Sequence, residues 1–425
     1  MKQSQAAIVE GRRTPFAKAG TALADLDVFD LGRTAAVEIV QRADLDPGEI
    51  DQIVFGNVTR PVKYHNLARE IGLSIGAPAT IPAFTVSLAC ASACQAVTSA
   101  VDTIERGYGD VVLAGGAESL SNIPIQYGAK LARGLVGFSQ AKTMPARLQA
   151  MAGIRIKDLA PVAPGIRETS TGLTMGESAE IMAKVNGISR HEQDALALAS
   201  HRNAAEAQAA CRLSAEVVPV YRPEGRAVTT DNHIRSDTSL EKLAALPPVF
   251  DRRHGTITAG NASPLTDGAA ALLLMSTRKA KQFGYRPKAW IRSYAYAAVD
   301  PADQLLLGPA YAVPIALDRA GITLADIDLV EMHEAFAAQV LSTTKALASK
   351  RFAEEKLGRA EAVGEIDPER LNVNGGSIAL GHPFGATGAR VLLSLANEME
   401  RRKARYGLAT VCAAGGVGCA IVLER

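Results

Sequence analysis

Two residues of this 425-residue chain combine a reactive type with a promising setting, Cys90 and His382. Cys90 lies in SLACASACQAV, Ser87 to Val97, four residues before Cys94. In the following stretch, Cys90, Cys94, Val97, Val101 and Ile104 recur at spacings of 4, 3, 4 and 3, which is one helical face, and Gly107 suits its C-terminal end. The spacing therefore places Cys90 where the helix begins and Cys94 in the core. Unpaired backbone N–H groups at a helix start favour an anion, so the expectation is a lowered thiol pKa and a nucleophilic Cys90. His382 lies in NVNGGSIALGHPFGATGAR, where a glycine-rich turn precedes a helix with Ala389, Leu392, Ala396 and Met399 on one face. The pattern predicts that His382 opens its helix as Cys90 opens the other. A thiol and an imidazole brought within reach would be a nucleophile and its general base.

Two more candidates follow strands. His333 in MHEAFAA succeeds an apolar run, and Cys412 in VCAAGGVG ends another at a glycine turn whose backbone N–H groups suit an oxyanion. Cys419 and Cys211 read as packing residues. Five cysteines without framework spacing argue against a disulfide scaffold, and Cys90 with Cys94 lacks the second ligand pair that structural zinc requires, so no metal is expected.

The elements that must position these residues come in two copies. QAAIVEGRRTP matches KAWIRSYAYAAVDP, and LDPGEIDQIVFGNV matches ITLADIDLVEMHEAF; GDVVLAGGAES matches GLATVCAAGGVG, and GAAALLLMS matches GCAIVLER. Each copy alternates strands with amphipathic helices, which predicts two similar α/β halves packed together. If they pack about a pseudo-dyad, the two helix starts converge. The copies also locate an insertion, since the glycine pair leads straight to the last strand in the second half but not in the first. The expected division is a first half over 1–122, an inserted loop domain over 123–258, the last strand of the first half over 259–289, and a second half over 290–425. Within the insertion, residues 126–161 mix Lys130, Arg133, Lys142, Arg147, Arg155 and Lys157 with Leu131, Leu135, Phe138, Leu148, Met151 and Ile154. A solvated helical hairpin is the plain reading; a basic amphipathic surface for peripheral membrane contact, an anionic cofactor or a partner subunit is the sharper one.

Composition sets the outer limits. With 48% hydrophobic and 21% charged residues the chain can bury a large core, and its net charge of +2 gives no global field for nucleic acid. No apolar run reaches the ~18 residues of a membrane span, and the first residues lack a secretory apolar segment. A reducing, cytoplasmic setting is the expectation.

Together these motifs resemble the thiolases, in the family's order and over essentially the whole chain. ACASACQAV resembles the nucleophile motif, GGAESLSN the glycine turn of the first half, and AGNASPLTDGAAAL the start of its last strand. MHEAFAAQ, NVNGGSIALGHPFGATGAR and CAAGGVGCA follow. The resemblance implies a duplicated five-layer αβαβα fold and acyl transfer between coenzyme A thioesters, with coenzyme A a substrate and no cofactor. It implies Cys90 as the acylated nucleophile, His382 as its base and Cys412 as the acid/base toward the α-carbon or incoming thiol. His333 takes a position where many thiolases have asparagine, at the first oxyanion hole. The backbone N–H groups of Cys90 and Ala414 would form the second. DNHIRSDTSLEKLAALPPVF resembles the coenzyme-binding stretch, which makes Arg235 a candidate for the nucleotide end and Ser263 for the pantetheine arm.

Departures from the common pattern are informative. Ala93, Cys94 and Ala414 stand where glycine, leucine and glycine are usual. His-Glu-Ala-Phe, CAAGG and the basic insertion look like thiolase subunits of fatty-acid β-oxidation complexes, which would bring a hydratase/dehydrogenase partner subunit; a homodimer or homotetramer is also implied. Alternatives are a biosynthetic, acetoacetyl-CoA-forming thiolase, a β-ketoacyl synthase, and a non-catalytic acyl-CoA-binding subunit. Cys412, and the lack of a second Gly-His turn, argue against the synthase.

Overall fold

The computed structural model describes residues 5–162 and 167–425; residues 1–4 and 163–166, at the edge of the expected first half and inside the expected insertion, lie outside the described residues. The first half runs β1 (Ala6–Arg13), α1 (Val28–Arg42), β2 (Gln52–Gly56), α2 (Leu67–Ser74), β3 (Ala83–Val86), α3 (Ser92–Glu105) and β4 (Val111–Glu118). The chain then leaves for α4 (Ala129–Gln140), α5 (Met144–Met151), α6 (Met175–Asn186) and α7 (Arg190–Ala209). It returns at β5 (Thr266–Ser276). The second copy follows as β6 (Ala289–Ala298), α8 (Gly308–Ala320), β7 (Leu329–Met332), α9 (Ala337–Leu347), α10 (Thr387–Arg402), β8 (Tyr406–Ala413) and β9 (Val417–Glu424).

Strand order reports the duplication directly. One path reads β7-β8-β9-β6-β1-β5-β4-β2-β3, so the order β1-β5-β4-β2 is mirrored by β6-β9-β8-β7. In both copies the first three strands pair antiparallel and the last pair is parallel. The halves meet where β1 pairs β6 through Ala7 with Trp290 and Ile8 with Ala289. Even β3 has a remnant twin: Val330 in β7 makes one parallel bridge to Leu371.

Five layers result. α1 covers the outer face of β1, β5 and β4, and α8 covers β6, β9 and β8. α3 and α10 lie between the two half-sheets and touch each other. The largest apolar cluster joins them, with Val97, Val101 and Ile104 of α3 against Leu392, Leu395, Ala396 and Met399 of α10. Each of the valine, leucine, isoleucine and methionine side chains contributes roughly 1.5–3 kcal/mol on burial. Small residues let these helices approach closely: a Cβ on Gly388 would lie 2.5 Å from Cys94 Sγ. Cys94 is core, as its spacing predicts.

Three sequence-based expectations change. The glycine pair Gly115-Gly116 is not a turn but the middle of β4, whereas Gly415 and Gly416 do form one, at positive φ. Cys211 is exposed, because α7 ends at Ala209 and the chain turns at Cys211 with φ 56°. His382 does not open α10; it lies in the loop ahead of a 3-10 turn, Phe384–Ala386, and α10 starts at Thr387. In 126–161, α4 and α5 pack as a hairpin, with Ile154 seated over Gly134. Leu135, Val136, Phe138, Met144 and Leu148 of its two helices remain exposed.

Candidate functional site

Cys90 sits two residues before α3, held by a local device that its sequence does not advertise. Ala89 adopts φ 45°, a left-handed conformation that costs an alanine on the order of 1 kcal/mol. Ser92 caps the turn, accepting from Leu88 N at 2.8 Å and donating to the Ala89 carbonyl at 2.6 Å. This turn aims the Cys90 side chain at the loop of the second half.

There, Cys90 Sγ lies 3.1 Å from His382 Nε2. Behind it, His382 Nδ1 lies 2.6 Å from Thr387 Oγ1, and that hydroxyl donates onward to the Pro383 carbonyl at 3.3 Å. With its own proton so engaged, Thr387 Oγ1 accepts from Nδ1–H, leaving a lone pair on Nε2 facing the thiol. The backbone of His382 is fixed as well, its N–H donating to the Pro264 carbonyl at 3.2 Å.

Cys90 is half-buried, and desolvation rather than the helix end sets its thiol. Desolvation pushes Cys90 up to about 12, against the opposing pull of the Ala414 and Cys90 N–H groups on the sulfur. The lowered pKa expected from the helix start is therefore corrected. Desolvation and the Arg390 charge push His382 down to about 3. At neutral pH the pair is thus thiol and neutral imidazole.

His333 stands beside them, its ring centroid 4.1 Å from that of His382. Burial, His382 and Arg390 hold it well below the usual histidine range. Its Nδ1 meets Ser377 Oγ at 2.7 Å, and its neighbour Glu334 is buried, accepting from Ser200 Oγ, Asn372 Nδ2 and Ile378 N. Cys412 is buried near the end of β8, and burial and the nearby Cys90 push its thiol well up. Cys90, His333 and His382 offer one ligand atom each within 4.8 Å of one another, a spacing that the zinc argument from Cys90 and Cys94 does not anticipate.

The structure thus brings Cys90, His382, His333, Cys412 and the Ala414 N–H together. Ser263 lines the same region, donating to the Ala335 carbonyl at 3.1 Å, two residues beyond His333. Arg235 lies apart. Its backbone N–H donates to His201 Nδ1 at 3.2 Å, and its side chain is exposed without an ion pair among the described residues.

Sequence reasoning missed the supporting polar groups. Ser377 and Thr387 flank His382 within the glycine-rich motif, so their place was readable although their partners were not. Glu118 is the other omission. Fully buried at the end of β4, it accepts from Asn57 Nδ2, Val58 N, Thr59 N and Gly385 N, tying the loop of His382 to the first half.

Known proteins agree with this geometry. Residues 6–278 match the family description "Thiolase, N-terminal domain", and residues 285–425 match "Thiolase, C-terminal domain". A 3-ketoacyl-CoA thiolase of Yersinia enterocolitica is 50% identical over 419 residues, covering 98% of this chain and 96% of the relative. One from Yersinia pestis is 50% identical over 418 residues with the same coverage. Among solved structures, a Bacillus anthracis acetyl-CoA acetyltransferase superposes with a TM-score of 0.84 at 33% identity, covering 99% of each chain. Human mitochondrial 3-ketoacyl-CoA thiolase gives 0.85 at 31%, covering 100% of this chain and 99% of the other. Two family domains spanning both copies of the duplicated fold, with half of all positions shared along nearly the whole length, place this chain in the thiolase family.

Proposed function

We propose that this enzyme is an acyltransferase that cleaves 3-ketoacyl-CoA with a second coenzyme A, giving acetyl-CoA and an acyl-CoA two carbons shorter. The observation that carries the reading is the 3.1 Å contact of Cys90 Sγ with the lone-pair nitrogen of His382. His382 takes the thiol proton as sulfur attacks the keto carbon. The N–H groups of Cys90 and Ala414, already directed at the sulfur, bind the oxyanion that forms there. Collapse breaks the bond between C2 and C3 and leaves the acyl group on Cys90. The departing enolate of acetyl-CoA takes a proton at C2 from Cys412 and a hydrogen bond at its oxygen from His333. Incoming coenzyme A gives its proton to the Cys412 thiolate and takes the acyl group, and the imidazolium of His382 returns the proton to Cys90. The cycle closes on protein groups and two substrates.

Wider assignments belong to the same reading. The inserted domain, 123–258, would carry much of the coenzyme site, with Arg235 toward the nucleotide and Ser263 toward the pantetheine arm. His333 and the basic hairpin favour fatty-acid degradation in the cytoplasm, as a homo-oligomer working with a hydratase/dehydrogenase subunit. The exposed apolar side chains of α4 and α5, set among basic residues, offer a surface for that subunit or a membrane.

The test follows acetoacetyl-CoA and coenzyme A by loss of the 3-keto thioester. Turnover is expected with wild type, and Cys90→Ala abolishes both turnover and the acyl adduct. Cys412→Ala still acylates Cys90 from a simple acyl-CoA but does not turn over. Wild type without turnover or adduct would overturn the reading; near-normal turnover by Cys412→Ala would overturn the acid/base role.

A further inference from the structure

The two ring nitrogens of His333 have unlike surroundings. Nδ1 lies 2.7 Å from Ser377 Oγ, while Nε2 is buried and, among the described residues, has no partner. A neutral imidazole carries one proton, and its location decides whether Nε2 donates or accepts. The group beyond Ser377 settles this. Arg390 Nη2 donates to Ser377 Oγ at 2.8 Å, and a guanidinium has no lone pair with which to accept. Among the described partners of Ser377 Oγ, only His333 Nδ1 can then take the serine proton. With Nδ1 accepting, the ring proton sits on Nε2. The other tautomer would bury a serine O–H without an acceptor, which folded proteins avoid.

The chain of donors is rigidly built. Arg390 and Ser377 are fully buried, and Arg390 Nη1 is held by Glu331 Oε2 at 3.1 Å. His382 is set the other way, because Thr387 sends its proton to Pro383 and so accepts from Nδ1. Neighbouring imidazoles are thereby given opposite tautomers by two hydroxyls of opposite polarity.

We propose that Ser377 and Arg390 are positioning residues that lock His333 as the Nε2–H tautomer, so that Nε2 donates to the thioester oxygen as it becomes an enolate. This rests on the thiolase reading. As the bond between C2 and C3 breaks, its electron pair moves into the C1–C2 bond and onto the thioester oxygen; a lone pair at Nε2 would repel that charge. The same proton occupies the position at which His333 would ligate a metal ion beside Cys90 and His382.

Ser377→Ala separates the two half-reactions. Transfer of a saturated acyl group from acyl-CoA to Cys90 and on to labelled coenzyme A passes through no enolate, whereas cleavage of acetoacetyl-CoA does. Losing a well-placed donor costs up to about 10²–10³ in kcat. The expected result is a loss in cleavage at least tenfold greater than in exchange, with substantial rescue by Ser377→Thr. Neutron diffraction from deuterium-exchanged wild-type crystals should place a deuteron on Nε2 of His333 and on Nδ1 of His382. A deuteron on Nδ1 of His333, or equal losses in both reactions, would overturn the proposal. Wild type inert toward acetoacetyl-CoA would instead defeat the thiolase reading, and the deuteron positions would still decide the tautomer.

Discussion

At Cys90, two electrostatic effects compete, and their sizes decide whether the sulfur rests as thiol or thiolate. The backbone N–H groups of Cys90 and Ala414 favour the thiolate, but desolvation is the larger effect and takes the thiol up to about 12. His382, pushed down to about 3, cannot hold a proton at rest near neutrality. Each pKa unit corresponds to about 1.4 kcal/mol, so a resting thiolate–imidazolium pair is strongly disfavoured. In the proposed mechanism the proton therefore moves as the carbon–sulfur bond forms. A raised thiol pKa means that the thiolate fraction keeps growing with pH through the neutral range. Alkylation of Cys90 by iodoacetamide, followed by peptide mass spectrometry, should accelerate steadily from pH 7 to 10; a plateau reached by pH 7.5 would indicate a preformed thiolate. The place of Cys90 just ahead of α3 was legible in the sequence, from helical spacing and the motif. Its ionisation was not, because helix position is a local property and desolvation depends on the second half folding over it.

At the scale of elements, the site depends on one close approach between β4 and the loop that carries His382. A Cβ on Gly116 would lie 1.9 Å from the Gly385 carbonyl oxygen, and a Cβ on Gly385 2.8 Å from the Gly56 carbonyl oxygen. Both obstacles are backbone atoms, so no side-chain rotation relieves them. Gly116→Ala must displace the loop, three residues from His382, and strain the hydrogen bond of Gly385 N to Glu118 at 2.9 Å. Overpacking of this kind costs roughly 1–3 kcal/mol, and a shift of about 1 Å at a reacting pair costs about 10²-fold in rate. The expected outcome is a kcat at least tenfold lower with a reduced Tm. Gly128→Ala, with open space at its Cβ, should change neither. This contact explains why strand and helix order were readable while the role of Gly115-Gly116 was not. Pattern along the chain gives an apolar strand and two glycines; that the glycines are mid-strand and face another backbone is known only once the halves meet. His382 was misplaced by one turn for a similar reason. The motif supplies the residue, but the loop is fixed by Glu118 and Pro264, distant in sequence.

Across the whole molecule, one guanidinium joins the two halves and the insertion. Arg13 ends β1 and is fully buried; its Nε donates to Glu216 at 2.7 Å, and Nη1 and Nη2 donate to Asp231 at 2.7 and 2.8 Å. Asp231 also accepts from Phe16 N, and Glu216 accepts from Ser394 Oγ of α10. The network therefore ties the first strand, both ends of the stretch from Glu216 to Asp231, and the central helix of the second copy. Burial works against the Arg13 charge, yet Asp231 and Glu216 hold it firmly ionised. Such a cluster adds little over an apolar core, but removing one partner strands the others, at about 3–5 kcal/mol. Arg13→Ala leaves two buried carboxylates facing each other with no cation between them. For a chain of this length that corresponds to a fall in Tm of about 3–6 °C. Because the carboxylates lie in the insertion, the loosening should appear there first, as new proteolytic cuts between residues 212 and 235 before any cut in the strands. Unchanged melting and an unchanged digestion pattern would mean that the insertion is held to the sheets by its apolar contacts alone. Cuts in Arg13→Ala with full retention of Cys90 acylation would separate the insertion from the paired halves that bring Cys90 and His382 together.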